Sequence, residues 1–282
     1  MMYNLRYHIA SLVAVFLALT VGLLLGTIVA ERGVLDAQRG ALVEGLQRDF
    51  TDLLERNTEL ANENSSMLEF IAAISPGLTA NALEGRQVIV VTSEADVNNY
   101  ETIADAIVAA GGLPTQVVLM HENLGLARAE TTAALSPMFD ITAENLRSSV
   151  VASLAAEWSA PGPRPVTSAL RAAGVLGGDV LPEAVAAQGF VTIAVRDGAP
   201  DLAGLELAEQ IKLRNLPAAG VEVVGSETGL AATAADSGLS AVDHLGTPEG
   251  AYSLITVLSG QAQGYFGVAD TADSRFPSVP GR

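Results

Sequence analysis

Three histidines, five methionines and no cysteine bound the metal and nucleophile chemistry open to this 282-residue chain. His8 borders a long apolar run, so His121 and His244 are the imidazoles left outside it. Met120-His121 closes one short apolar run that reads as a strand, and His244 follows another, beside Asp243. In parallel α/β sheets, ligands bind beyond the carboxyl ends of the strands. His121, Asp243 and His244 are therefore the candidate metal ligands. The alternative is that each histidine is simply solvated or hydrogen-bonded. Lack of cysteine removes thiolate metal sites, disulfides and cysteine nucleophiles together. Copper favours clustered Cys, Met or His. Here Met1 and Met2 lead the chain, Met67 lies in a helical stripe, and only Met120 and Met138 remain. No M-x-x-M or H-x-x-x-H spacing occurs. If its strand continues, Met120 faces away from His121, because side chains alternate. This ligand supply predicts no tight copper site within one chain and no resident cofactor; copper is expected to be held only transiently.

Other reactions fare no better. A nucleotide site needs glycines that let backbone approach phosphate. The turn after the first strand is Thr92-Ser93-Glu94-Ala95-Asp96, with no glycine and two acids, and there is no Walker A sequence. A serine hydrolase elbow reads G-x-S-x-G. Gly225-Ser226-Glu227-Thr228-Gly229 places its serine one position early and reads as a turn. The residues point to a membrane-tethered scaffold or binding protein and not to an enzyme.

The elements that would position these side chains begin with Ile9 to Ala30, a run without a charged residue. At 1.5 Å per residue it crosses the roughly 30 Å hydrocarbon core once, as a helix. Ala18, Gly22 and Gly26 form a small-xxx-small row that lets two helices approach closely, unless the glycines are merely tolerated in lipid. A cleavable signal peptide is the rival reading, with Ile28 and Ala30 at its cleavage site, but its apolar region is normally about 7–15 residues. Residues 1–8 form a short lead. Arg6 precedes the span with no acid beside it, which favours a cytoplasmic N-terminus and an exterior bulk.

Residues 31–75 are charged and strongly periodic. Val43, Phe50, Asn57, Asn64 and Ile71 fall at heptad position a, and Leu46, Leu53, Leu60, Met67 and Ile74 at d. That seam predicts a coiled-coil stalk, and Asn57 and Asn64 at a favour a parallel dimer. Leu42 and Phe70 at g, with Leu54 and Leu68 at e, widen the seam and leave a higher oligomer open. Ser75-Pro76-Gly77 is expected to stop the helix.

From 85 to 267, short apolar runs alternate with helical stretches. Strands are expected at Val88–Val91, Gln116–Met120, Phe190–Val195, Val221–Val224 and Leu239–Asp243. Helices are expected over 96–110, over 142–158 with Thr142 as cap, over 166–173, 182–188 and 201–216, and over 248–261 with Pro248 in the first turn. Gly177-Gly178 reads as a turn. The alternation predicts a mostly parallel, Rossmann-like α/β domain outside the membrane. Residues 268–282 read as a loose tail. The formal charge is −17, and Arg6 is the only charged residue among the first thirty, so the remainder carries −18. Such a surface excludes nucleic acid as a partner.

Leu5-Arg6-Tyr7-His8, running into Ile9–Leu19, closely resembles the N-terminus of the actinobacterial copper transport protein family (MctB-like). Val242-Asp243-His244-Leu245-Gly246-Thr247-Pro248-Glu249-Gly250 resembles its second recurring stretch, V-D-x-x-x-T-P-x-G, at the start of the last helix. Gly264-Tyr265-Phe266-Gly267 is similar to the aromatic-glycine stretch that follows, and Gly246 stands where the family often has Asp. The resemblance covers nearly the whole chain. It implies a role in copper export or homeostasis at the cell envelope, with an outer location. The residues themselves suggest the alternative of a dimeric scaffold that recruits an envelope protein for wall assembly or division.

Overall fold

The computed structural model describes residues 4–226 and 228–278. It divides into two units, Met1–Met67 and Leu68–Arg282. The first is helix throughout its described length, part of helix α1 (Asn4–Thr79). Within α1, Arg6–Val29 is long and apolar enough to cross a membrane, and none of it is buried. The helix does not stop at Pro76, as expected, but runs one turn further to Thr79. Proline lacks only its own N–H, so this late in a helix it removes a single backbone hydrogen bond. The Thr79 hydroxyl donates to the Ser75 carbonyl across that turn, at 3.1 Å.

The second unit is a three-layer α/β domain. In chain order it carries β1 (Gln87–Ser93), α2 (Tyr100–Ala109), β2 (Leu113–Leu119), α3 (Ala129–Leu135), α4 (Leu146–Ser159), α5 (Pro165–Ala172) and β3 (Leu176–Gly178). There follow β4 (Gly189–Thr192), β5 (Val195–Arg196), β6 (Ala199–Pro200), α6 (Leu202–Lys212), β7 (Ala218–Val223), α7 (Leu230–Asp236), β8 (Ser240–Leu245), α8 (Pro248–Leu258) and β9 (Tyr265–Phe266). The main sheet runs β3-β2-β1-β4-β7-β8-β9. All its pairings are parallel except that of β3 with β2. β1 and β4 are adjacent, and the chain leaves them in opposite directions along the sheet, so the topological switch point lies between them.

Strands buried on both faces read as unbroken apolar runs, as Val88–Val91 does. Ile103 and Ile107 of α2 and Leu254, Ile255 and Leu258 of α8 cover one face, against Val88, Val90 and Val191. α4, α5, α6 and α7 cover the other, against Ile89, Val91 and Phe190. Trp158 stacks on Phe190 there, ring centroids 6.3 Å apart.

Both sheet edges are closed to a further strand. On β3 the Arg171 guanidinium takes the carbonyls of Gly177, Gly178 and Asp179. On β9, Phe266 bridges to Ser274, whose carbonyl accepts from the Gly267 N–H at 2.9 Å. Unpaired edges invite association through the backbone, and that route is blocked here.

Several local expectations need correction. Thr142 does not cap α4, which starts at Leu146; its N–H and hydroxyl bond Asp140 Oδ1 at 3.0 and 2.7 Å instead. Gly177-Gly178 lies in β3, not in a turn. Residues 182–188 are not helical. Their carbonyls turn outward to Arg164, only 5% exposed, which donates to Leu181, Pro182 and Val185 as well as to Glu157. A distant guanidinium therefore overrides local helix preference. Helix α7 had no expectation attached to it. Its N-terminal cap is remote: Glu222 on β7 accepts from Thr228 and Ala231. His244 does not follow β8 but lies within it.

Arg164→Leu would strand four carbonyls at once. It should lower the free energy of unfolding by roughly 3–5 kcal/mol in chemical denaturation. Arg164→Lys should restore only part, because one ammonium cannot reproduce the planar fork.

Candidate functional site

The carboxyl ends of β1, β2, β4, β7 and β8 share one edge of the sheet, where a ligand is expected in this architecture. At the switch point that place is taken by the chain's own Asp96. Its Oδ2 accepts the Ser93 hydroxyl at 2.6 Å and the Val195 N–H at 2.9 Å. A phosphate there would meet a carboxylate and find its donors already used.

His121 stands in extended backbone after β2, ahead of a 3-10 turn, Glu122–Gly125. His244 lies in β8, four strand spacings away across β1, β4 and β7. At about 4.8 Å per strand the two imidazoles are of order 19 Å apart. The structure therefore separates His121 from the other two candidates and keeps Asp243 and His244 together. Among the described residues no group of three or more His, Asp or Glu is gathered in metal-binding geometry.

Asp243 is a structural anchor. Its side chain is 7% exposed, and its two oxygens accept from the Tyr265 hydroxyl at 2.9 Å, Val268 N–H at 2.8 Å and Ala269 N–H at 2.9 Å. Burial, reinforced by the neighbouring carboxylate, pushes the Tyr265 phenol up to about 12, so it stays a donor. The chain passes so close that a Cβ on Gly267 would overlap the Asp243 carboxylate. Val268, Ala269, Asp273 and Ser274 are thus held to the sheet: Asp273 also exchanges hydrogen bonds with Tyr265.

The remaining motif residues build the β8–α8 corner. Thr247 Oγ1 caps α8 by accepting from Gly250 N–H at 3.1 Å, and it donates to the His244 carbonyl at 3.0 Å. Pro248 opens the helix, where its missing N–H is harmless. Gly250 rests on the His244 carbonyl with no room for a Cβ. The V-D-x-x-x-T-P-x-G stretch is accordingly read out as one anchor, one cap, one helix start and one close approach.

His244 sits inside this corner, 1% exposed, and neither ring nitrogen has a hydrogen-bond partner. Nδ1 is 3.4 Å from Asp243 Oδ1, without hydrogen-bond geometry. Burial lowers its pKa, outweighing the pull of Asp243 and Glu249 in the other direction. Glu249, 6% exposed, bonds Arg275 through Oε1 at 3.0 Å, while its Oε2 is unpartnered. Burial works against the Glu249 carboxylate, yet its own backbone N–H and Arg275 together hold it below the ordinary range. Tyr252, one turn along α8, has a buried and unpartnered hydroxyl. Glu249, Tyr252, Tyr265 and Arg275 were not singled out from the sequence, although Glu249 and Tyr265 lie inside the two motifs. For copper this corner offers one free imidazole and one half-engaged carboxylate. Asp243 is already committed to three donors.

Gly267→Ala should cost roughly 2–4 kcal/mol in equilibrium unfolding, since the methyl displaces the carboxylate that gathers three donors. His244 makes stability pH-dependent. Its folded-state value lies below the ordinary 6.5, so the unfolded chain binds the proton first. Stability is full above pH 6.5 and falls as pH drops below it. Glu249 titrates lower still, so its loss begins only below its ordinary 4.5. His244→Gln should flatten the slope of unfolding free energy between about pH 6.5 and 4.5. An unchanged slope would contradict the assignment.

No curated protein and no solved structure matches this sequence. A family described as "Copper transport outer membrane protein, MctB" matches residues 2–277, from the residues ahead of the apolar span to the turn beyond β9. With that match over essentially its whole length, the chain belongs to the MctB copper transport outer membrane protein family.

Proposed function

We propose that the chain is a membrane-anchored, non-enzymatic envelope protein that acts in copper export or homeostasis as a parallel self-associated assembly. The family match over residues 2–277 carries the copper part of this reading. The apolar stretch Arg6–Val29 supports anchoring by a single pass, with the α/β unit outside. One span cannot enclose a polar path, and its described side chains carry no charge beyond Arg6. Copper therefore passes with the help of further copies or of another envelope protein. The exposed seam on α1 supports the first: Leu46, Leu53, Leu60 and Met67 are each more than 60% exposed. A coiled-coil stalk with two parallel helices covers that stripe.

The second reading is a scaffold that recruits an envelope partner in wall assembly or division. What favours it is the use of Asp243, Thr247, Gly250 and Gly267 inside the fold, where each is spent on a backbone hydrogen bond or a close approach.

Deletion of the gene should raise cell-associated copper and sensitivity to added copper. The unmodified chain should restore tolerance, and a Leu53→Asp, Leu60→Asp double variant that still reaches the membrane should not. A shape or division defect at normal copper content would support the scaffold reading instead.

A further inference from the structure

α1 is one continuous helix, so the heptad count of its seam carries back toward the N-terminus without a break. With Val43 at a and Leu46 at d, the same count places Val15, Gly22 and Val29 at a, and Ala18 and Leu25 at d. We propose that one face of α1 meets a second, parallel copy both within the bilayer and beyond it, in a single left-handed register from Val15 to Met67. This rests on the self-association reading above and specifies where the two copies touch.

Area argues for the longer contact. Val43 to Met67 spans about 36 Å of helix, and a strip about 10 Å wide gives about 360 Å² per copy. Stable interfaces bury about 800 Å² per partner. Carried back to Val15, the strip is about 78 Å long and about 780 Å² in area. Its described apolar side chains are bare: Val15, Leu25 and Val29 are 58–69% exposed, and Val43, Leu46, Phe50, Leu53, Leu60 and Met67 are 60–68% exposed. Lipid already satisfies apolar side chains, so contact inside the bilayer depends on close packing. Ala18 and Gly22 stand on the face near mid-span, where small side chains let the backbones approach. By the same count Arg32, Asp36 and Arg39 fall at d, a and d. A different geometry uses the same two small residues. A right-handed crossing along Ala14, Ala18, Gly22 and Gly26 touches at one point and diverges on either side.

The cysteine-free sequence makes the test clean, because a single introduced thiol reports only itself. The full chain in isolated membranes is treated with a short bifunctional thiol reagent. Val15→Cys, Ala18→Cys, Leu25→Cys and Val29→Cys should each crosslink at least about tenfold more than Phe16→Cys, Thr20→Cys and Thr27→Cys. Leu53→Cys should exceed Glu55→Cys by a similar ratio. Crosslinking confined to Ala18→Cys, with Val15→Cys and Val29→Cys at background, would overturn the continuous face in favour of a point crossing. Strong crosslinking at Leu53→Cys with none in the span would overturn it while leaving self-association intact. Background levels at every position, Leu53→Cys included, would remove the self-association reading itself.

Discussion

The described apolar side chains of α1 up to Met67 have no cover within their own unit. From Arg6 to Val29 every described side chain is exposed. A free helix of this kind in water would leave a continuous hydrophobic surface far larger than monomeric proteins tolerate. Lipid would cover such a stretch at no cost in backbone polarity, because a helix satisfies its own hydrogen bonds. The stripe from Val43 onward is interspersed with charged residues, which lipid does not accommodate. The two stretches of one helix thus suit different surroundings.

The α/β unit solves the opposite problem. Its apolar strands are covered on both faces by its own helices, and its sheet edges are blocked by Arg171 and by the strand-like segment around Ser274. What remains costly inside it is polar. A buried donor or acceptor without a partner costs about 1–3 kcal/mol, so the carbonyls gathered by Arg164 and the donors gathered by Asp243 fix the paths of whole segments. Each is a single charged group organising several backbone groups, and each closes a stretch of chain that has little apolar pattern of its own.

This explains which features were legible in the sequence. The membrane run, the stripe after it and the strands at Val88–Val91 and Val221–Val224 announce themselves through composition and period, which are local. The switch from seam to sheet, and the parallel order, follow from strand-helix alternation. Three local features were not legible. Residues 182–188 and 268–269 take their shape from Arg164 and Asp243, partners 18 to 26 residues away, while the start of α7 is held by Glu222, only 6 to 9 residues ahead but in a strand. The candidate site was half legible. Asp243 and His244 do share one corner, whereas His121 lies across the sheet because strand order reverses between β1 and β4, which spacing does not encode.

The motif that identifies the family is also the part of the chain least free to handle a metal. Asp243 is spent on Tyr265, Val268 and Ala269, Thr247 on its helix, and Gly250 and Gly267 on letting backbone and carboxylate pass. His244 retains free ring nitrogens but lies 1% exposed behind Asp243. A metal reaching it would have to displace a buried, hydrogen-bonded carboxylate or open the β8–α8 corner, and each costs several times the thermal energy. In this chain the motif fixes a shape: an anchor, a cap and two close approaches. The polar groups the motif leaves outside are the part-exposed His121 and the carboxylates that give residues 31–282 their net charge of −18.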